Sequence, residues 1–343
     1  MVFEGLFSRN RSTTDRAVEA TPAPEAPQMV PPSIGLALGG GAARGFAHLG
    51  VMRRLIEAGI KPDVIVGTSI GAVVGGCYAA DRLEPFEKWA RSLTLRGLIG
   101  NLDISFTGSG LLGGRHLSRH LTEALADIRI ENLPLRFAAI ATEFPNGHEI
   151  WLTQGRLVDA LRASYALPGI FPPVRVAGRW LLDGALVNPV PVSAARALGA
   201  RVVIAVHLNA ELPGRGTVIS SFGGEEVVEP AVNGKRGLRA MFSTESSLRR
   251  QFFGNRDSPG IPAVMIEAFN IMQDRITRSR MAGDPPDVLI TPRVGPVGWF
   301  DFHKAADAIR LGEEAAEKAL PAISEAIAAL SMPLPAAATN GAK

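Results

Sequence analysis

Twice near its start, this chain passes from a short apolar run through a cluster of glycines into residues of helical spacing. In the first case Ile34 to Leu38 meets Gly39-Gly40-Gly41-Ala42-Ala43-Arg44-Gly45, then Leu49, Met52, Leu55 and Ile56 recur three and four residues apart until Gly59 stops them. In the second, Val64 to Val66 follows Pro62 and leads into Gly67-Thr68-Ser69-Ile70-Gly71 and a small-residue helix from Ala72. This is a βαβ unit, so both strands are parallel and both glycine turns open at one sheet edge.

The alternation continues. Phe137 to Ala141, Trp180 to Leu182, Arg201 to Val206 and Val288 to Ile290 read as strands. Helices are expected near Leu157 to Ala163, Val192 to Leu198 and Ala305 to Leu320. Strands interleaved with helices predict an α/β fold, a three-layer α/β/α sandwich around a mainly parallel central sheet. Residues 1–33, with Pro22, Pro24, Pro27, Pro31 and Pro32 among Ala, Thr and Glu, read as a disordered tail. Residues 34–330 read as one folded body and 331–343 as a second disordered tail. From 210 to 262 periodicity fails, as expected of a lid or insertion. Beyond it Met265, Phe269, Met272 and Ile276 mark one apolar helix face, expected to pack on the sheet.

Composition removes several function classes. With 46% hydrophobic and 20% charged residues the chain is globular, and a single cysteine, Cys77, excludes disulfide frameworks and multi-cysteine metal sites. Thirty-six basic against 33 acidic residues leave a net charge of +3, too even for a nucleic-acid partner. No H-E-x-x-H or EF-hand pattern occurs, and His148-Glu149-Ile150-Trp151-Leu152 lacks the second histidine; no metal or other cofactor is expected. No apolar run reaches the roughly 18 residues of a membrane span, and no secretory leader is visible, so the cytoplasm or a peripheral membrane surface is the expected location.

Gly67-Thr68-Ser69-Ile70-Gly71 matches G-x-S-x-G, a pattern that recurs by chance but here has the strand-turn-helix context of a nucleophile elbow. The competing reading is a tight turn whose serine caps the helix. Gly39 to Gly41 expose backbone N–H groups at a helix start, an anion-binding arrangement. A dinucleotide fingerprint would need glycine at Arg44 and a P-loop Gly-Lys-Ser/Thr at Gly45-Phe46-Ala47, so the anion left is the oxyanion of acyl transfer. The base is not evident. None of His48, His116, His120, His148, His207 and His303 sits in a catalytic signature, and Asp183, between Trp180-Leu181-Leu182 and Gly184-Ala185, is either a carboxylate at a strand mouth or an Asp-Gly turn residue.

Four segments in order, GGGAARG, GTSIG, Ala163-Ser164-Tyr165-Ala166-Leu167-Pro168-Gly169-Ile170-Phe171-Pro172-Pro173 and Asp183-Gly184-Ala185-Leu186-Val187-Asn188-Pro189, resemble the patatin-like phospholipase family, bacterial type. The resemblance covers about residues 34 to 206, with Asp287 to Pro292 similar to the family's closing strand. It implies Ser69 as nucleophile, Asp183 as its base in a Ser–Asp dyad, Gly39, Gly40 and Gly41 as oxyanion hole, and Arg44, Gly67 and Gly71 in support. The family usually has Asp-Gly-Gly where Ala185 stands, and alanine resists a positive φ. The implied activity is hydrolysis of a phospholipid or other lipid ester through an acyl-enzyme. The alternatives are a small-ester or thioester hydrolase with a histidine base, or a non-catalytic membrane-binding module on the same fold. Arg236, Arg239, Arg249 and Arg250 beside Met241, Phe242, Phe252 and Phe253 suggest peripheral membrane contact. Oligomeric state, head group and chain length are not legible.

Overall fold

The computed structural model describes residues 32–94, 114–210 and 260–331. Residues 211–259, with their arginine and phenylalanine clusters, and nearly all of both expected tails lie outside the described residues.

The expected βαβ unit is β1 (Ile34–Leu38), α1 (Ala47–Glu57) and β2 (Val64–Thr68), with Gly35 opposite Val64 and Leu38 opposite Gly67 in parallel register. Next come α2 (Ile70–Ala79), α3 (Leu83–Ser92), α4 (Gly114–Leu125) and β3 (Arg136–Phe144). After these come β4 (Glu149–Leu152), α5 (Leu157–Ser164), β5 (Val174–Val176) and β6 (Arg179–Asp183). The chain closes with α6 (Val192–Ala197), β7 (Val202–Val206), α7 (Ile261–Gly283), β8 (Val288–Ile290) and α8 (Ala305–Ser331). The sheet runs β5-β6-β3-β2-β1-β7-β8, with β4 also on β3. β1, β2, β3, β7 and β8 are parallel, whereas β4 and β6 run antiparallel to β3, and β5 to β6.

The parallel strands are buried along nearly their whole length because both faces are covered, and they are apolar apart from Thr68 at the end of β2 and Arg136, Thr142 and Glu143 on β3. Leu36, Leu38, Ile65, Phe137, Ala139, Ile204 and Val206 point into one core with α1, α2, α5 and α8. Ala37, Val64, Val66, Ala138, Ile140, Val203 and Ala205 alternate with them and meet α6 on the other face. This is the α/β/α sandwich the sequence predicts. Its layers are unequal: α6 is six residues long, while α8 is 27 and lies on α1.

The antiparallel hairpin β5–β6 is absent from the sequence reading, and it determines where the site lies. Ala177 and Gly178 both take positive φ, 48° and 83°, the signature of a two-residue hairpin turn whose twist matches its strands. β6 therefore enters the sheet beside β3 with Asp183 opposite Ala141. Since Thr68 is opposite Ile140 on the other partner of β3, Ser69 and Asp183 arrive at the same level of the sheet.

Candidate active site

Ser69 follows the last residue of β2 and precedes α2, with φ 57° and ψ −125°. A non-glycine residue there is strained by about 1 to 3 kcal/mol and is held only by its surroundings. The flanking glycines supply the room. A Cβ on Gly67 would lie 2.3 Å from Ala72 Cα, and one on Gly71 2.2 Å from the Leu38 carbonyl oxygen. The Ser69 N–H donates to the buried Ser164 Oγ at 2.9 Å, and Thr68 Oγ1 donates to the Asn188 carbonyl at 2.8 Å. No side-chain capping bond ties Ser69 to α2. Instead, Ser69 Oγ donates to Asp183 Oδ2 at 2.7 Å.

Every polar atom of Asp183 is engaged. Its second oxygen accepts the Ala185 N–H at 2.8 Å, its own N–H reaches the Ala166 carbonyl at 2.9 Å, and Thr142 Oγ1 donates to its carbonyl at 2.8 Å. The side chain is buried, and desolvation pushes its pKa up to about 7 against the opposing bonds from Ala185 and Ser69. Ala185 does not take a positive φ; it sits in a 3₁₀ turn over Gly184–Leu186. The residue that must be glycine is Gly184, where a Cβ would lie 2.2 Å from the Ile140 carbonyl oxygen.

The glycine loop lies above this pair: a Cβ on Gly40 would be 3.5 Å from Ser69 Cβ and 3.4 Å from Ala185 Cβ. Its amides are not equivalent. Gly39 N–H extends the sheet ladder to the Val206 carbonyl, and Gly40 N–H bonds the Pro189 carbonyl. Both are therefore spent on backbone acceptors. Of the three expected oxyanion donors, only Gly41 N–H has no acceptor among the described residues.

His48, which the sequence leaves as a helix residue without a role, is fully buried, with Nε2 2.7 Å from the Gly39 carbonyl. Desolvation lowers its pKa to about 4, so the ring is neutral and Nε2–H is the donor. Gly39 O and Gly40 N–H belong to one peptide, which His48 and Pro189 thus hold from opposite sides. Arg44, also buried, secures the next stretch through Nε to the Val297 carbonyl at 2.8 Å and Nη1 to Asn209 Oδ1 at 3.2 Å.

No described histidine bonds Ser69 or Asp183. His207 directly follows β7 and is buried, with desolvation the largest cause of a pKa lowered to about 4, and His148 pairs with Glu143 at 2.7 Å. His120 stacks on Trp89 with ring centroids 4.7 Å apart. The side chain of His116 is outside the described residues. Among the described residues no group of three or more His, Cys, Asp or Glu is placed to hold a metal ion, and no helix is long and apolar enough to cross a membrane. Next to the pair lies an apolar wall of Leu167, Ala185, Phe269 and Trp299, joined by Ile170, Phe171 and Ile266. A separate depression of about 500 Å³, lined by Pro62, Asp63, Ile130 and Leu135, opens at the other end of β2 and carries no comparable chemistry.

α7 departs from expectation. Phe269 is buried and Ile276 half-buried, but Met265 and Met272 are exposed and the buried face is polar: Asn270, Gln273, Asp274 and Thr277. Gln273 Oε1 reaches Asn209 Nδ2 at 3.4 Å and lies 3.9 Å from where a Gly40 Cβ would stand. The helix thus covers the loop with amides where a packed apolar face was expected.

Comparison with known proteins places the chain in a family. The model of the family described as patatin-like phospholipase matches residues 36–196. An uncharacterized NTE family protein of Mycobacterium tuberculosis is 32% identical over 331 residues, covering 85% of this chain and 92% of that protein. This chain belongs to the patatin-like phospholipase family. Lysophospholipase NTE1 of Yarrowia lipolytica is 36% identical over 182 residues, 51% of this chain but 13% of that much longer protein. Among solved structures, VipD from Legionella pneumophila is similar with a TM-score of 0.47 at 15% identity, over 85% of this chain and 67% of its own. The patatin-like match spans the elbow, the glycine loop and Asp183 but ends before β7, α7 and β8.

Proposed function

We propose that this chain is a lipid acyl hydrolase that cleaves carboxylic esters of phospholipids or lysophospholipids through an acyl-enzyme on Ser69, with Asp183 as its only base. The observation that carries the reading is the direct 2.7 Å bond from Ser69 Oγ to Asp183 Oδ2 at a strained strand-to-helix turn. The family and the fungal relative named lysophospholipase support a lipid substrate.

Ionised Asp183 takes the Ser69 proton as Oγ attacks the acyl carbonyl carbon. The developing oxyanion is met by the Gly41 N–H and by the positive N-terminal end of α2. The ester C–O bond then breaks, with the Asp183 proton passing to the leaving alcohol oxygen. Water follows the same route in reverse: Asp183 accepts its proton, hydroxide adds to the acyl-serine, and the fatty acid leaves as Ser69 is reprotonated. A carboxylate of ordinary pKa near 3.9 is a weak base for a serine hydroxyl. Burial of Asp183 narrows that gap. The wall of Leu167, Phe269 and Trp299 suits an acyl chain, and the amides of Asn209 and Gln273 line the polar side.

A fluorophosphonate probe should label Ser69, and Ser69→Ala and Asp183→Asn should each abolish both labelling and fatty-acid release from lysophosphatidylcholine micelles. The double variant should be no worse than either single one, because the two groups act as a unit. Retained activity in Asp183→Asn together with its loss in His207→Ala would replace the dyad by a histidine-based mechanism.

A further inference from the structure

A helix lying on a folded body normally buries an apolar stripe and shows water a polar one; α7 does the reverse. Its inward residues Asn270, Gln273, Asp274 and Thr277 are at most 5% exposed, while Val264, Met265, Ile271 and Met272 point outward at 46–51% exposure. We propose that this outward face is an interfacial surface that seats the molecule on an anionic phospholipid bilayer beside the Ser69 crevice. The inference deepens the functional reading above by naming where the lipid is met, and it rests on that reading for the substrate though not for the binding itself.

Three observations select a lipid surface. The apolar stripe from Val264 to Met272 continues toward the C-terminus on the same side of the helix as exposed Arg275 and Arg278, so side chains that suit hydrocarbon are followed by cations that suit anionic head groups. Arg278 is ion-paired with Asp274 of its own helix at 3.0 Å, and Glu267 is the one acidic residue on the outward side. The stripe is also small. Nine residues of helix extend about 12 Å, and one such stripe falls well short of the roughly 1,200 Å² that a stable protein interface buries, which argues against a second copy of the chain. Finally, the stripe adjoins the crevice. The Met265 methyl is 3.2 Å from where a Gly169 Cβ would stand, and Phe269, one turn on, packs edge-on against Trp299 at 5.8 Å.

The test is co-sedimentation of the full chain with vesicles of phosphatidylcholine, alone and mixed with phosphatidylglycerol, at low and high salt. Wild type should bind the mixed vesicles, more weakly at high salt. The pair Ile271→Ser and Met272→Ser should lower the partition coefficient about tenfold, from the lost burial of two aliphatic side chains, and should slow hydrolysis of vesicle lipid in proportion. Turnover of a monomeric short-chain ester should not change. Val264→Ser provides a second probe of the same stripe should the double variant fold poorly. Wild type that ignores vesicles, a variant that binds as wild type does, or a wild-type dimer that the variant converts to monomer would each overturn the proposal. Ser69→Ala should still bind vesicles. A wild type that binds but hydrolyses no ester would sink the functional reading and leave this one standing.

Discussion

At the scale of single residues, the pKa of Asp183 carries the most consequence. Its carboxylate is 2% exposed and, among the described residues, receives no cation, so burial outweighs its two hydrogen bonds and the proton leaves near pH 7. Only the ionised form is the proposed base, and kcat/KM should fall tenfold per pH unit below an acidic limb near 7. The stability consequence has the opposite sense. The folded chain keeps a proton that the unfolded chain, with an ordinary aspartate, releases near pH 4, so the stability from this group is full at low pH and is lost as pH rises through 7. Asp183→Asn preserves the shape and removes the buried charge. At pH 8 it should be inactive yet raise the unfolding free energy by a few kcal/mol in denaturant titrations, with the gain shrinking toward pH 5. A gain over wild type no larger at pH 8 than at pH 5 would contradict that origin of the shifted pKa.

Among elements, the crossing of α1 and α8 is set by glycine as closely as the active-site turns are. A Cβ on Gly50 would lie 1.9 Å from the Ile309 carbonyl oxygen, and one on Gly312 1.9 Å from the Ala47 carbonyl oxygen, so each helix presents bare backbone to the other. Arg53 with Glu313 and Arg54 with Glu317 flank the crossing. Glycine to alanine within a helix ordinarily stabilises by up to about 1 kcal/mol. Here the methyl must push the helices apart, and overpacking of this kind costs about 1 to 3 kcal/mol. Gly312→Ala should therefore lower Tm, and because α1 begins directly behind the glycine loop it should also lower ester turnover. An unchanged or higher Tm would show that the crossing adjusts at no cost.

At the scale of the whole molecule, the buried histidines His48 and His207 weaken the fold as the pH falls. His48 and His207 are held neutral, each with a pKa near 4, whereas an unfolded chain protonates them near 6.5. The stability they represent is present above pH 6.5 and is lost as pH falls toward 4, at most roughly 3 kcal/mol for each. Asp183 runs the other way over the same range and offsets part of the loss. Paired substitution His48→Gln and His207→Gln should flatten the fall of Tm between pH 6.5 and 4, while Asp183→Asn should steepen it. If the paired variant showed the wild-type slope, the acid sensitivity would have to come from other groups.

The βαβ core was legible because its signals are local: apolar runs read as strands when both faces are buried, and glycines read as turns when backbone meets backbone. The motif and strand-mouth signals point to Ser69 and Asp183, the family resemblance paired them as nucleophile and base, and the 2.7 Å bond between them is consistent with that pairing. What the sequence leaves open depends on contacts across long separations. Nothing near Gly39 or Gly40 in sequence reveals that Val206 and Pro189 occupy their amides, and nothing near Ser69 points to Ser164 as the acceptor of its N–H. The role of His48 follows from which way one peptide turns, a property of the packed loop. The hairpin β5–β6 is short, with VRV too brief a run to register as a strand, yet its pairing with β3 sets the level at which Asp183 arrives. α7 makes the contrast plainest. Its methionines have helical periodicity, but periodicity specifies a stripe and not the side that faces the body. That side was decided by the buried amides of Asn209 and Gln273 at the glycine loop, because a polar crevice is better covered by hydrogen-bonding groups than by hydrocarbon.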